Sequence, residues 1–233
     1  MNNDEVSRLG LLCLSTLILL AGSASHSRAQ EEDEEKKDGA KLSAGTLASI
    51  KLRSIGPALM SGRIADIAVD PEEMNTWYVG VGSGGVWKTT NAGTTWKAIF
   101  DKYGSYSIGC VTVDPSNRNT VWVGTGENVG GRHVGFGDGI YRSVDGGKSF
   151  VNMGLKASEH ISKIVVHPQH SHLIYVAVQG PLWSAGGERG LYRSSDGGKT
   201  WEQILAKGEY TGVTDVVLDP KNPSVLYRRK SVV

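Results

Sequence analysis

Apolar and β-branched residues come in short runs at 64–69, 108–113, 161–166 and 213–218. Each run stops at a turn pair: Asp70-Pro71, Asp114-Pro115, His167-Pro168 and Asp219-Pro220. An aromatic stands eight residues beyond the first member of every pair, at Tyr78, Trp122, Tyr175 and Tyr227. Val, Ile, Thr and aromatic residues set between Gly, Asp and Pro clusters mark strands and turns. The spacing therefore predicts an inner strand over each run and a second strand through the aromatic. A third strand ends at Trp87, Tyr141 or Tyr192, and a fourth begins at Trp96, Phe150 or Trp201. None of this stretch carries a helical period.

One phrase recurs in time with these strands. Gly85-Val86-Trp87-Lys88-Thr89-Thr90-Asn91-Ala92-Gly93-Thr94-Thr95-Trp96 returns in altered form as 139–150 and as 190–201. Its copies start 54 and 51 residues apart, and a period of that size is the mark of stacked supersecondary units such as propeller blades. The expected fold is all-β, a β-propeller with blades at about 55–101, 102–155 and 156–206 and an incomplete one at 207–233. Closed propellers have about four to eight blades of four strands. Some three and a half blades make an incomplete ring. The reading is of a shortened frame, with a partner supplying the remainder of the propeller as the alternative.

The phrase, here called the box, resembles the Asp-box or BNR repeat of sialidases, sortilin-type receptors and several glycosidases. Wider similarity lies in Arg53-Ser54-Ile55-Gly56-Pro57, Ser61-Gly62-Arg63-Ile64, Val123-Gly124-Thr125-Gly126-Glu127 and Gly180-Pro181-Leu182-Trp183. These look like the amino-terminal part of large secreted bacterial proteins with sortilin-like propellers, which are often labelled glycosyl hydrolases. The resemblance implies a structural role for the box. Asn91, Asp145 and Asp196 would bond backbone amides of their own turns, and Trp96, Phe150 and Trp201 would pack inside the blades. Trp96 and Trp201 are accordingly expected to be buried.

The amino terminus changes the picture of where the chain works. Residues 1–29 read as a secretory signal peptide: Arg8 precedes an apolar run over 9–21, and Ser27-Arg28-Ala29 offers a cleavage site. An uncleaved anchor is the alternative. Residues 30–44 form a charged linker containing Glu31-Glu32-Asp33-Glu34-Glu35-Lys36-Lys37-Asp38. Cleavage removes Cys13 and leaves Cys110, a small residue on an inner strand expected to be buried. The mature protein is thus expected in a secreted or periplasmic location, with no membrane attachment. The whole chain has 25 Lys plus Arg against 24 Asp plus Glu, and with no basic run it gives no reason to expect nucleic acid.

In an up-and-down blade, turns after strands one and three share one face and those after strands two and four share the other. Boxes and Asp-Pro turns thus lie together. In the second and third units the stretch between strands two and three is longer by ten and eight residues, and these insertions fall on the opposite face, around the channel mouth. Long loops on a rigid scaffold are where binding residues concentrate. The ligand-binding candidates are Glu127, Asn128, Arg132 and His133, with Asp138, in the first insertion, and Trp183, Glu188 and Arg189 in the second. Arg63 opens the first inner strand on that face, and His160 holds the matching place in the third unit. This mixture suits a glycan or an extended peptide. The structural alternative is that Glu127, Arg132, Glu188 and Arg189 pair between loops to order them. As part of a loop, Glu127 is expected to be dispensable for folding.

No metal and no cofactor are assigned. His167, His170 and His172 lack further ligands of zinc type, and Gly82, Gly84 and Gly85 precede a strand, where a phosphate loop would lead into a helix. Two functions remain. One is a binding module. The other is a glycoside hydrolase, sialidase-like or endoglucanase-like, working through mouth carboxylates drawn from Asp66, Glu127, Glu188 and Asp215. The sialidase Arg-Ile-Pro signature is missing, and Gly82 stands where xyloglucan-degrading relatives, as the resemblance aligns them, carry an Asp. Binding is the preferred reading, with no catalytic residue assigned.

Overall fold

A computed structural model describes residues 62–129, 131 and 134–232, all within one compact unit, Arg53–Val233. The leader, the charged linker, the Arg53–Pro57 segment, Arg132 and His133 lie outside the described residues. The described chain forms strands and turns, with no helix among them. The first blade holds β1 (Ile64–Val69), β2 (Trp77–Val81), β3 (Gly85–Thr89) and β4 (Lys97–Ala98). Next come β5 (Ile108–Asp114), β6 (Asn117–Thr125), β7 (Ile140–Ser143) and β8 (Val151–Asn152). The third holds β9 (Ile161–His167), β10 (His170–Val178), β11 (Gly190–Ser194) and β12 (Glu202–Leu205). Two strands of a fourth sheet follow, β13 (Thr211–Leu218) and β14 (Leu226–Val232).

Every sheet is an antiparallel meander in sequence order, so each blade is built from local pairings such as Val79 with Trp87 and Val123 with Tyr141. The fold is an all-β propeller of three four-stranded blades plus two strands of a fourth. The hydrophobic cores lie between blades. One joins Tyr78, Val86 and Phe100 to Ile108, Val123 and Phe150; the next joins Trp122 and Ile140 to Ile161, Ile164 and Tyr192. A strand with a blade on either side is covered on both faces, which explains why β5 and β9 are buried along nearly their whole length. On β1, which has a described neighbour on one side alone, Ile64 and Ile67 are exposed.

The same geometry corrects the expectation for the box aromatics. Phe150 and Trp201 pack across the blade junctions, against the preceding blade. Trp201 meets Trp122 and donates its indole N–H to the Met153 carbonyl at 2.8 Å. Phe150 is buried against Phe100 and Tyr103. Trp96 has Trp77 of its own blade beside it and is 41% exposed, so the expectation that it is buried fails, and Trp201 is only partly buried. Among the strand-two aromatics, Tyr78, Trp122 and Tyr175 are buried whereas Tyr227, on the two-stranded sheet, is exposed.

Basic side chains on the third strands clasp the box of the following blade. The Lys88 ammonium donates to the Gly146 carbonyl at 2.8 Å and Arg142 to the Gly197 carbonyl at 3.2 Å. Gly198 must be glycine there: its φ is +88° and a Cβ would run into the Trp122 ring.

Candidate functional site

Within the boxes the carboxylates are occupied by their own turns. Asp145 accepts from the Lys148 and Ser149 amides at 2.9 Å and from the Ser149 hydroxyl at 2.6 Å. Asp196 repeats this with Lys199 and Thr200. Those bonds hold both carboxyls far below the usual range. Asn91 accepts the Thr95 amide at 2.9 Å and donates to the Thr95 hydroxyl at 3.0 Å, doing the same work without charge.

At the opposite face, Arg63 and Glu127 meet. The Arg63 Nε donates to Glu127 Oε1 at 2.6 Å, joining the first blade to the second. The bond raises the guanidinium pKa. The Arg63 side chain is 56% exposed and that of Glu127 is 1% exposed. Glu127 is drawn inward because its amide donates to the Ser107 hydroxyl at 3.0 Å and its carbonyl lies 2.8 Å from His160 Nδ1. A carbonyl only accepts, so Nδ1 carries the proton of this ring and Nε2 is left as a bare acceptor. Burial pushes the His160 pKa down, which favours the neutral ring. Glu127 Oε2 and His160 Nε2 are both buried with no hydrogen-bond partner. The Phe136 ring, 60% exposed, stands 5.7 Å from the His160 ring.

The other candidates are placed apart from that pair. Asn128 donates to the Ser162 carbonyl at 3.1 Å, and Asp138 accepts the Tyr141 hydroxyl at 2.6 Å. Glu188 accepts the Ala157 amide at 2.8 Å. Arg189 is buried and donates to the carbonyls of Gln179, Pro181, Ser184 and Gly186, folding its own loop around itself. Burial lowers its pKa. Trp183 is 70% exposed. Ordering contacts therefore exist for Glu127, Glu188 and Arg189, but their partners are Arg63 and backbone groups, and they do not pair with one another. Phe136 and Ser107 were missed by sequence reasoning. The lone aromatic in the Gly135-Phe136-Gly137 stretch was the available signal.

Gly82 sits beside this pair, and a Cβ there would run into the Glu127 carboxylate. Asp66 is held elsewhere, accepting the Val111 amide at 3.2 Å and lying 3.6 Å from Lys163 Nζ. His167 and His170 approach at 3.2 Å through their Nδ1 atoms. Among the described residues no group of three His, Cys, Asp or Glu side chains is arranged to hold a metal ion. Cys110 is buried, and burial pushes its thiol pKa far up.

Residues 84–211 match the family described as "Sortilin, neurotensin receptor 3" (Sortilin-Vps10). The chain belongs to the Sortilin-Vps10 family. No curated protein matches it. Among solved structures, an ancestral GH74 enzyme is similar at 23% identity and a TM-score of 0.58, over 76% of this chain and 23% of that one. The Niastella koreensis GH74 enzyme is similar at 21% identity and a TM-score of 0.55, over 72% of this chain and 26% of that one. At such identities the likeness is one of fold. This family member spans about a quarter of the length of either enzyme.

Proposed function

We propose that this Sortilin-Vps10 family member is a secreted propeller module that binds a glycan or peptide ligand through the loops at the mouth face. The observation that carries this reading is two buried, unpartnered acceptors, Glu127 Oε2 and His160 Nε2, with the exposed Phe136 ring 5.7 Å from the His160 ring. A buried acceptor without a donor costs about 1–3 kcal/mol, and a ligand hydroxyl or amine would recover that cost. The aromatic supplies an apolar face for the body of the same ligand.

A second reading, glycoside hydrolysis, is favoured by one feature. The space beside Gly82, where the resemblance implies an Asp in xyloglucan-degrading relatives, is filled by the Glu127 carboxylate from the neighbouring blade. The Arg63 Nε, 2.6 Å away, holds that carboxylate in place.

Purified protein would be tested for binding to immobilised glycans and peptides, with His160→Phe and Phe136→Ala alongside. Binding that both variants weaken supports the module. Release of reducing sugar from xyloglucan that is abolished in Glu127→Gln would replace it with the second reading. Secretion is checked separately by mass spectrometry, which should find Gln30 at the mature amino terminus.

A further inference from the structure

The outer junction between the first two blades is open where the next junction is filled. Between the second and third blades, Trp201 lies against Trp122 and bonds the Met153 carbonyl, closing the space. One junction earlier the equivalent residue is Phe150. The smaller ring turns inward onto Phe100, with 5.1 Å between ring centres, and its amide donates to the Tyr103 hydroxyl at 2.8 Å. Along the boxes at this junction runs a groove of about 550 Å³, lined in part by Ala98, Ile99 and Tyr103. It lies on the outer edge of the blades and shares no residue with the mouth loops.

Its walls are strongly one-sided in charge. Lys88, Lys97, Lys102 and Lys148 line it against one carboxylate, Asp101. Exposed Trp96 also lines it, with the hydroxyl residues Thr90 and Thr95. Lys88 is held over the Tyr78 ring, 4.9 Å from its centre, and burial lowers its pKa. In the second blade the position of Lys97 is taken by Val151 and that of Trp96 by Phe150, which is turned onto Phe100. Cavity, charge and exposed indole thus coincide at the junction between the first two blades.

We propose that this groove binds an acidic polysaccharide, one carrying carboxylate or sulfate groups on successive sugars. Ammonium groups on both walls match anions repeated along a chain. The flat indole of Trp96 suits the apolar C–H face of a pyranose ring. A polyglutamate peptide would satisfy the lysines but has no such face for the indole, which is why the saccharide is favoured. This site is independent of the mouth.

The test uses the purified secreted chain and affinity electrophoresis in polygalacturonate, in dextran sulfate, in neutral dextran and in poly-glutamate. Retardation by the two acidic polysaccharides and none by neutral dextran is expected, and comparing the two acidic gels distinguishes carboxylate from sulfate recognition. Lys97→Glu/Lys148→Glu should weaken binding by about tenfold or more. Trp96→Ala should weaken polysaccharide binding alone. Glu127→Gln, at the mouth, should leave this binding unchanged, so failure here and failure of the mouth reading are separable. Circular dichroism confirms that each variant is folded. Equal retardation in neutral dextran, indifference to the charge reversal, or binding to poly-glutamate that matches the polysaccharides and ignores Trp96→Ala would overturn the proposal.

Discussion

Trp201 stands edge-on to Trp122, their ring centres 6.5 Å apart and their planes at 82°. The contact joins the third box to the second blade, and Trp201 also bonds the Met153 carbonyl. Truncating a buried Trp costs about 3–5 kcal/mol, and a partly buried one somewhat less. Trp201→Ala should therefore lower stability by roughly 2–4 kcal/mol in urea denaturation. Trp96→Ala, at an exposed position, should cost well under half as much. Equal losses would contradict packing across the junctions.

Acid sensitivity should reside in the second and third boxes. Hydrogen bonds, led by those from Ser149 and Thr200, depress the folded-state pKa of Asp145 and Asp196, while an unfolded Asp titrates near ~3.9. A depressed folded value gives a contribution that is complete above the unfolded pKa and is lost as pH falls below it. Asn91 has no charge to titrate. Asp145→Asn/Asp196→Asn should thus flatten the fall in stability between about pH 4 and pH 2, read as urea midpoints across that window. A curve parallel to that of the parent would count against it.

Glu127 is not a dispensable loop residue. Its carboxylate is buried, fills the space beside Gly82 and is bonded by Arg63, which argues against the expectation that its removal leaves folding unchanged. Glu127→Ala should cost about 1–3 kcal/mol, with Arg63→Ala costing less because that side chain is half exposed. Thermal melts of the two variants check the order.

Cys110 should be silent to thiol reagents in the native protein. Burial on β5 raises its pKa far up and leaves no thiolate to react. Incubation with iodoacetamide should leave the Cys110 peptide unmodified in buffer and fully modified in urea. Rapid native labelling would show that the junction between the second and third blades opens.

What could be read from residues alone was what the chain settles over short distances. The inner strand at 64–69 and the starts of β5 and β9 lie where the β-branched runs put them, because a blade is a meander of neighbouring strands. The bonds of Asp145 and Asp196 span three and four residues, so the box announces its own turn. Tertiary structure decided the rest. Trp96 and Trp201 have equivalent places in the repeat, yet one is exposed and the other packed, because the partner ring belongs to a different blade. Glu127 owes its burial to Arg63, which is 64 residues away, and to Ser107 and His160 from the loops beside it. The groove at the first junction sets Lys88 and Trp96 of the first blade beside Gly146 and Lys148 of the second. Local pattern sets where a strand runs and which way its side chains alternate; what each side chain meets depends on blades stacked from distant parts of the chain, and only their packing determines it.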